Sequence, residues 1–260
     1  MDLQLTGKKA LVTGAGRGIG LATVRALEAE GVHVAAVART ITRELRGTGA
    51  ITIAADLSDP AVPARTVTDS VRRLGGLDIL INNVGSSGDD VTPNGFTDFD
   101  DAAWHQAFEL NLFSAVRTSR AALPALLDGG GSIVNVSSAT AKTPSCGPIP
   151  YAAAKAALTV VGKGMSEEFG AQGVRVATVS PGPVRTAMWA GKKGHGARLA
   201  EAMGMSHQAM LEKLPGQLGM TTNRFVEVDE VATLITYLSS PLATSITGDH
   251  LIDGGIVKSV

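Results

Sequence analysis

Two kinds of apolar patterning alternate along this chain. Short, nearly unbroken apolar runs occur at "KALVTG" (9–14), "HVAAVA" (33–38), "AITIAAD" (50–56), "LDILINNVG" (77–85), "GSIVNVSS" (131–138), "VRVATVSPG" (174–182) and "DHLIDGG" (249–255). Runs of this length, bounded by Gly, Asp and Ser, predict strands buried on both faces. Between them lie Ala- and Leu-rich stretches with helical spacing. "GLATVRALEAEG" predicts a helix closed by Gly31, and "TVTDSVRRLGG" a second. "DDAAWHQAFELNLFSAVRTSRAALPALLD" predicts one long helix with Asp100 or Asp101 at its N-cap. Further helices are expected from Tyr151 to about Phe169 and across "VDEVATLITYLSS".

Strand–helix alternation of this kind implies an α/β fold with a doubly wound parallel sheet of about seven strands, helices covering both faces. No linker or fixed-period repeat divides the chain, so residues 1–260 read as one domain. Residues 186–225 break the alternation and are rich in Met and Gly, which marks an insertion.

Composition narrows the function classes. Of 260 residues, 44% are hydrophobic and 18% charged, which excludes a disordered chain. No apolar run reaches the length of a membrane-spanning helix. The net charge of −1 supplies no basic field for nucleic acid or an anionic membrane, and 4% aromatics leave little for base stacking. The first residues lead directly into a strand-like run, so no secretion signal is expected. With Cys146 as the sole cysteine, no internal disulfide can form, and a cytoplasmic location is expected.

Candidate chemistry lies at two places. "VTGAGRGIGLA" sets Gly14, Gly16, Gly18 and Gly20 between the first strand and its helix, where backbone N–H groups and the helix N-terminus can hold a phosphate. "YAAAK" places the Tyr151 phenol and the Lys155 ammonium one helical turn apart. A neighbouring cation favours the phenolate, so Lys155 is expected to bring Tyr151 into proton exchange near neutral pH. Ser138 stands thirteen residues before Tyr151, at the end of the fifth strand. Alternation along that strand is expected to turn Ser137 the other way. Asn111 falls inside the long helix, where Asn is a poor helix former.

Taken together, these segments resemble the short-chain dehydrogenase/reductase family, single-domain type. The resemblance rests on "TGAGRGIG", "AADLSD", "NNVG", "ELNLFSA", "GSIVNVSS", "YAAAK", "SPGPVRT" and "TGDHLIDGG", in order along nearly the whole chain. It implies a Rossmann fold and interconversion of a carbonyl and a secondary alcohol by hydride transfer from a nicotinamide cofactor. It implies that Asn111, Ser138, Tyr151 and Lys155 are catalytic, with Asn111 holding a water that relays protons to Lys155. It assigns cofactor contacts to Gly14, Gly16, Arg17, Gly18 and Ile19, to Arg39, Asp56 and Leu57, and to Asn83 and Gly85 at the adenine ribose. Tyr151, Lys155, Pro181, Gly182, Val184 and Thr186 complete that set. No metal is implied, and His195 and His207 are left unassigned. Two departures stand out. Val84 replaces the usual alanine of "NNAG", adding bulk beside the cofactor, and the stretch between the second and third strands is short enough to truncate or remove its helix.

Residues "AAVART" end the second strand with Ala38 where NAD-dependent members carry an acid, followed by Arg39. A guanidinium able to grip a 2′-phosphate favours NADP(H), with NAD(H) possible. Residues 139–150, 86–96 and 186–225 are expected to select the substrate, with Met188, Trp189, Met203, Met205, Met210, Leu211 and Leu214 forming either a lid over a hydrophobic ketone or ordinary helix packing. A small-molecule partner and a homo-oligomer, tetramer or dimer, are expected. The alternative is a nicotinamide-dinucleotide sensor or scaffold without turnover.

Overall fold

A computed structural model describes residues 1–88 and 95–258. Seven strands form one sheet: β1 (Lys9–Thr13), β2 (His33–Ala38), β3 (Ile51–Ala54), β4 (Ile79–Asn82), β5 (Gly131–Val136), β6 (Val174–Pro181) and β7 (Gly248–Ile252). Their order is β3-β2-β1-β4-β5-β6-β7, and all neighbours are parallel. The chain runs outward one way from β1 and then returns to start the other way at β4. The crevice above the carboxyl ends of β1 and β4 is therefore the switch point at which such sheets bind ligands.

The interior strands are continuously apolar because both of their faces are covered. Helices α1 (Gly18–Ala29) and α10 (Val228–Ser239) pack on one face through Val24, Leu27, Val231 and Ile235. Helices α3 (Val62–Leu74), α5 (Ser114–Gly129) and α6 (Ile149–Phe169) cover the other, with Val67, Leu126 and Phe169 against Leu11, Leu80 and Ile133. Between β2 and β3 only a four-residue helix, α2 (Arg43–Arg46), remains, capped by Thr42.

The long helix expected after residue 100 is not continuous. It starts as α4 (Asp101–Phe108), capped by the Asp100 carboxylate on the N–H of Ala103, then widens into a π-turn over Glu109–Phe113 before α5 begins. A π-turn rotates the side chains that follow it relative to an unbroken α-helix. Here it brings Asn111 inside, with 1% of its surface exposed.

Residues 186–225 form α7 (Ala187–Ala190), α8 (His195–Ala202) and α9 (His207–Gln217). The two ends of this excursion are zipped together: Val184 pairs with Val226, and Arg185 N–H donates to the Val226 carbonyl. Met210, Leu211, Leu214 and Phe225 build a small apolar core of its own. No helix among the described residues is long and apolar enough to cross a membrane.

Helix α6 lies close to the sheet because Gly162 has no side chain; a Cβ there would sit 2.7 Å from Thr178 Oγ1 and 2.9 Å from Asn135 Nδ2. Gly164, two residues on and turned away from the sheet, meets nothing within 4 Å. Gly164→Ala is expected to raise stability by about 0.5–1 kcal/mol through helix propensity. Gly162→Ala is expected to lower it by about 1–3 kcal/mol through overpacking. Paired urea denaturation curves check this, and equal shifts for both variants would contradict the packing.

Candidate active site

The glycine loop leaves β1 at Gly14 (φ +65°) and enters α1 at Gly18 (φ +56°). Arg17 occupies the N-cap position in an extended conformation and is exposed. Two polar side chains hold this loop. The Asn83 amide donates to the carbonyls of Thr13 and Gly14, each at 3.1 Å, and Thr42 donates to the Gly16 carbonyl at 2.9 Å. The amide nitrogen of Asn83 is thus engaged by the loop's backbone. Val84 is partly buried and packs against the core on the α3–α5 face. Arg39 and Thr40 stand exposed at the end of β2. Asp56 is exposed too, and its carboxyl lies below the usual range, chiefly because the Ser58 hydroxyl donates to it; Arg39 adds a smaller attraction. Leu57 beside it is buried.

The second group forms above β4 and β5. Lys155, on α6, is 3% exposed, and its ammonium donates to the Val136 carbonyl at 2.8 Å. Gly85 makes room for it, since a Cβ there would lie 2.8 Å from both Lys155 Nζ and Asn111 Oδ1. Gly85 therefore stands at the lysine end of the crevice. The Asn111 amide donates to the carbonyls of Ser86 (3.0 Å) and Ala107 (2.9 Å), while its Oδ1 accepts from Ser86 N–H (2.9 Å). Both amide protons are spent on the protein, so a water relayed from here would have to meet an oxygen.

Tyr151 and Lys155 face the same side, with Lys155 Nζ 5.9 Å from the Tyr151 ring centre. The expected electrostatic effect of the lysine is not the dominant one. Burial pushes the Tyr151 phenol up from its ordinary value, and the opposing influence is a hydrogen bond from Ser138. Burial likewise pushes the Lys155 ammonium down to about 8. Removing water penalises the charged form of each group.

The two serine hydroxyls meet different partners. Past the end of β5 at Val136, Ser137 N–H still donates to the Val179 carbonyl and Ser138 is extended. Ser137 donates to the Lys155 carbonyl at 2.9 Å and shares a 3.0 Å bond with Thr159, fastening α6 to the sheet. Ser138 meets Tyr151. Both hydroxyls therefore turn toward α6, one helical turn apart.

Part of each group lines a cavity of about 840 Å³. One end is formed by Ile19, Asn83 and Gly85, the middle by Ser138, Tyr151 and Lys155, and the side toward the excursion by Pro181, Gly182, Val184 and Thr186. Among the described residues, no group of three or more His, Cys, Asp or Glu is placed to hold a metal.

A family model described as short chain dehydrogenase matches residues 8–195. The chain belongs to the short-chain dehydrogenase family. An uncharacterized oxidoreductase of Bacillus subtilis (strain 168), YvrD, is 35% identical to it, with 100% of both chains covered. The L-xylulose reductase of Bos taurus is 33% identical over 100% of both. Among solved structures, the L-sorbose reductase from Gluconobacter frateurii, complexed with NADPH and L-sorbose, matches with a TM-score of 0.90 at 30% identity, covering 100% of each chain.

In this short-chain dehydrogenase the roof of the cavity is Met188, Trp189 and His195, with Phe96 and Cys146 at other points of its wall. The methionine-rich excursion therefore splits: Met188 and Trp189 face the cavity, whereas Met210, Leu211 and Leu214 pack against their own helices and Met203 is 42% exposed. His195, unassigned from sequence, meets Trp189 edge to face at 5.3 Å, and His207 Nε2 binds the Trp189 carbonyl at 2.7 Å. Spacing gave no hint of either contact, because they form between separate turns of the excursion. Residues 89–94 of the expected substrate loop lie outside the described residues.

The buried Lys155 has a measurable signature. Its unfolded form keeps a proton up to the ordinary lysine range near 10.5, while the folded form releases it near 8, so unfolding takes up a proton across that window and stability rises with pH through it. Lys155→Met, which keeps the length and removes the charge, is expected to be more stable than the parent at pH 7 by up to roughly 3 kcal/mol. That advantage shrinks as the pH approaches 10. Urea denaturation at the two pH values checks it, and an advantage independent of pH would contradict the assignment.

Proposed function

We propose that this chain is an NADPH-dependent reductase that converts a small-molecule ketone to a secondary alcohol. The observation that carries the reading is the meeting of Ser138, Tyr151 and Lys155 on one wall of a cavity that begins at the glycine loop. The cofactor, when bound, supplies the hydride. The protein's part is to hold the ketone oxygen and manage its proton. Ser138 donates a hydrogen bond to that oxygen as negative charge grows on it. Tyr151 delivers the proton. Burial keeps the phenol protonated at neutral pH, which is the form a reduction consumes. Lys155, charged below about pH 8, steadies the phenolate left behind. Asn111 fixes the turn at Ser86 and, with Gly85, the place of the ammonium.

The residues fit a dinucleotide. Gly14, Gly16, Arg17, Gly18 and Ile19 would take the pyrophosphate, Asp56 and Leu57 the adenine, Asn83 and Gly85 the ribose side, and Pro181, Gly182, Val184 and Thr186 the nicotinamide. Ala38 places no carboxylate at the end of β2, and the exposed Arg17 and Arg39 offer charge to a 2′-phosphate, which supports NADPH over NADH. Phe96, Met188 and Trp189 give the cavity an apolar side for the substrate. Exposed Val160 (72%) on α6 and Phe113 (39%) at the π-turn support burial of that face in a homotetramer or dimer, and a cytoplasmic setting suits the free Cys146.

The test is a side-by-side assay of NADPH and NADH oxidation with apolar ketones, β-ketoesters, quinones and ketoses, the last included because relatives reduce L-xylulose and L-sorbose. NADPH is expected to be preferred, and Arg39→Ala to raise the NADPH KM about tenfold more than the NADH KM, the loss of one charge-assisted contact. Equal effects on both cofactors would contradict the NADPH assignment, and no turnover across the panel with NADPH bound would contradict the reductase.

A further inference from the structure

Ser138 begins a short turn at the end of β5, and its hydroxyl is held in an unusual way. Its Oγ accepts from the backbone N–H of Thr140 at 3.2 Å and from the Thr140 hydroxyl at 2.9 Å. A serine hydroxyl has two lone pairs and one proton. With both lone pairs engaged by Thr140, only the proton is left to offer. The contrast with Ser137 is direct: that hydroxyl spends its proton on the Lys155 carbonyl. We propose that Thr140 is a positioning residue that fixes Ser138 as a hydrogen-bond donor, aimed at the Tyr151 phenol oxygen and at a ketone oxygen beside it.

The turn that carries Thr140 is braced for such a role. Ala141 N–H donates to the Ser138 carbonyl, and the Thr143 hydroxyl and N–H both bind the Ala139 carbonyl. Lys142 pairs at 3.0 Å with Asp249 of β7, a carboxylate 12% exposed that also accepts from Ser180. Thr140 itself lines the cavity, so its hydroxyl lies next to the reacting groups and not in remote packing. Donation into Ser138 Oγ also polarises the serine O–H, which makes its own donation stronger. A donor held in this way stabilises charge on the phenolate and on the developing alkoxide. The effect on turnover rests on the proposed ketone reduction, whereas the effect on the Tyr151 phenol does not.

Thr140→Val keeps the shape and the backbone N–H and removes the hydroxyl. It is expected to lower kcat about tenfold, as loss of one hydrogen bond would. KM for NADPH should stay unchanged, and Thr140→Ser should restore kcat. The second readout needs no turnover. The chain has two tyrosines, Tyr151 and Tyr237, so ¹³C NMR of labelled tyrosine, assigned with Tyr237→Phe, follows the Tyr151 phenol directly. Its titration midpoint is expected to move to higher pH by about one unit in Thr140→Val and to return in Thr140→Ser. An unmoved midpoint overturns the proposal whatever happens to kcat. If the parent enzyme reduces nothing in the panel, the reductase reading fails by itself, and the titration still decides the role of Thr140.

Discussion

The site is organised by a buried ammonium. Lys155 is enclosed among the ends of β4 and β5 and the first turns of α6, and the contact that holds it is the Val136 carbonyl. Leaving a charge there is costly, and the cost shows in the fall of its proton affinity to about 8. The surrounding structure accommodates that charge: Gly85 has no side chain where the amine needs room, the π-turn brings Asn111 against the same spot, and Ser137 ties the Lys155 backbone to the sheet. Loss of any one of these would let the amine shift, and with it the relation between the phenol and the crevice above β1 and β4.

That arrangement separates two tasks. The sheet edge and the glycine loop, fastened by Asn83 and Thr42, form the part of the crevice suited to a dinucleotide. In the proposed reductase the end of β5 and the start of α6 handle the proton, and the excursion adds a further wall to the cavity, with Trp189 held by His195, His207 and Phe225. Because the excursion has its own small core and is zipped at its base, its cavity-facing residues can differ without disturbing the sheet.

Much of this could be read from the chain itself. Strands β1, β2, β4, β5 and β6 were visible because a parallel strand covered on both faces must be apolar throughout, and the shortened segment before β3 was visible as missing length. What escaped was produced by contacts between distant segments or by irregular backbone. A π-turn at 109–113 leaves no trace in helical periodicity beyond the oddity of an Asn inside a helix. Spacing put Tyr151 and Lys155 on one face, but it carried no information about burial, which pushes the phenol up and the ammonium down. The split of the methionine-rich segment between cavity wall and private core likewise depends on packing that forms only once α7, α8 and α9 have folded together.

The most direct test of the account removes the phenol oxygen alone. In Tyr151→Phe, NADPH binding followed by nicotinamide fluorescence should persist close to the parent's, while single-turnover reduction of a ketone accepted by the parent should fall by about a thousandfold or more, as loss of a general acid requires. Ketone reduction by Tyr151→Phe at the parent's rate would show that the proton comes from elsewhere and would contradict the account.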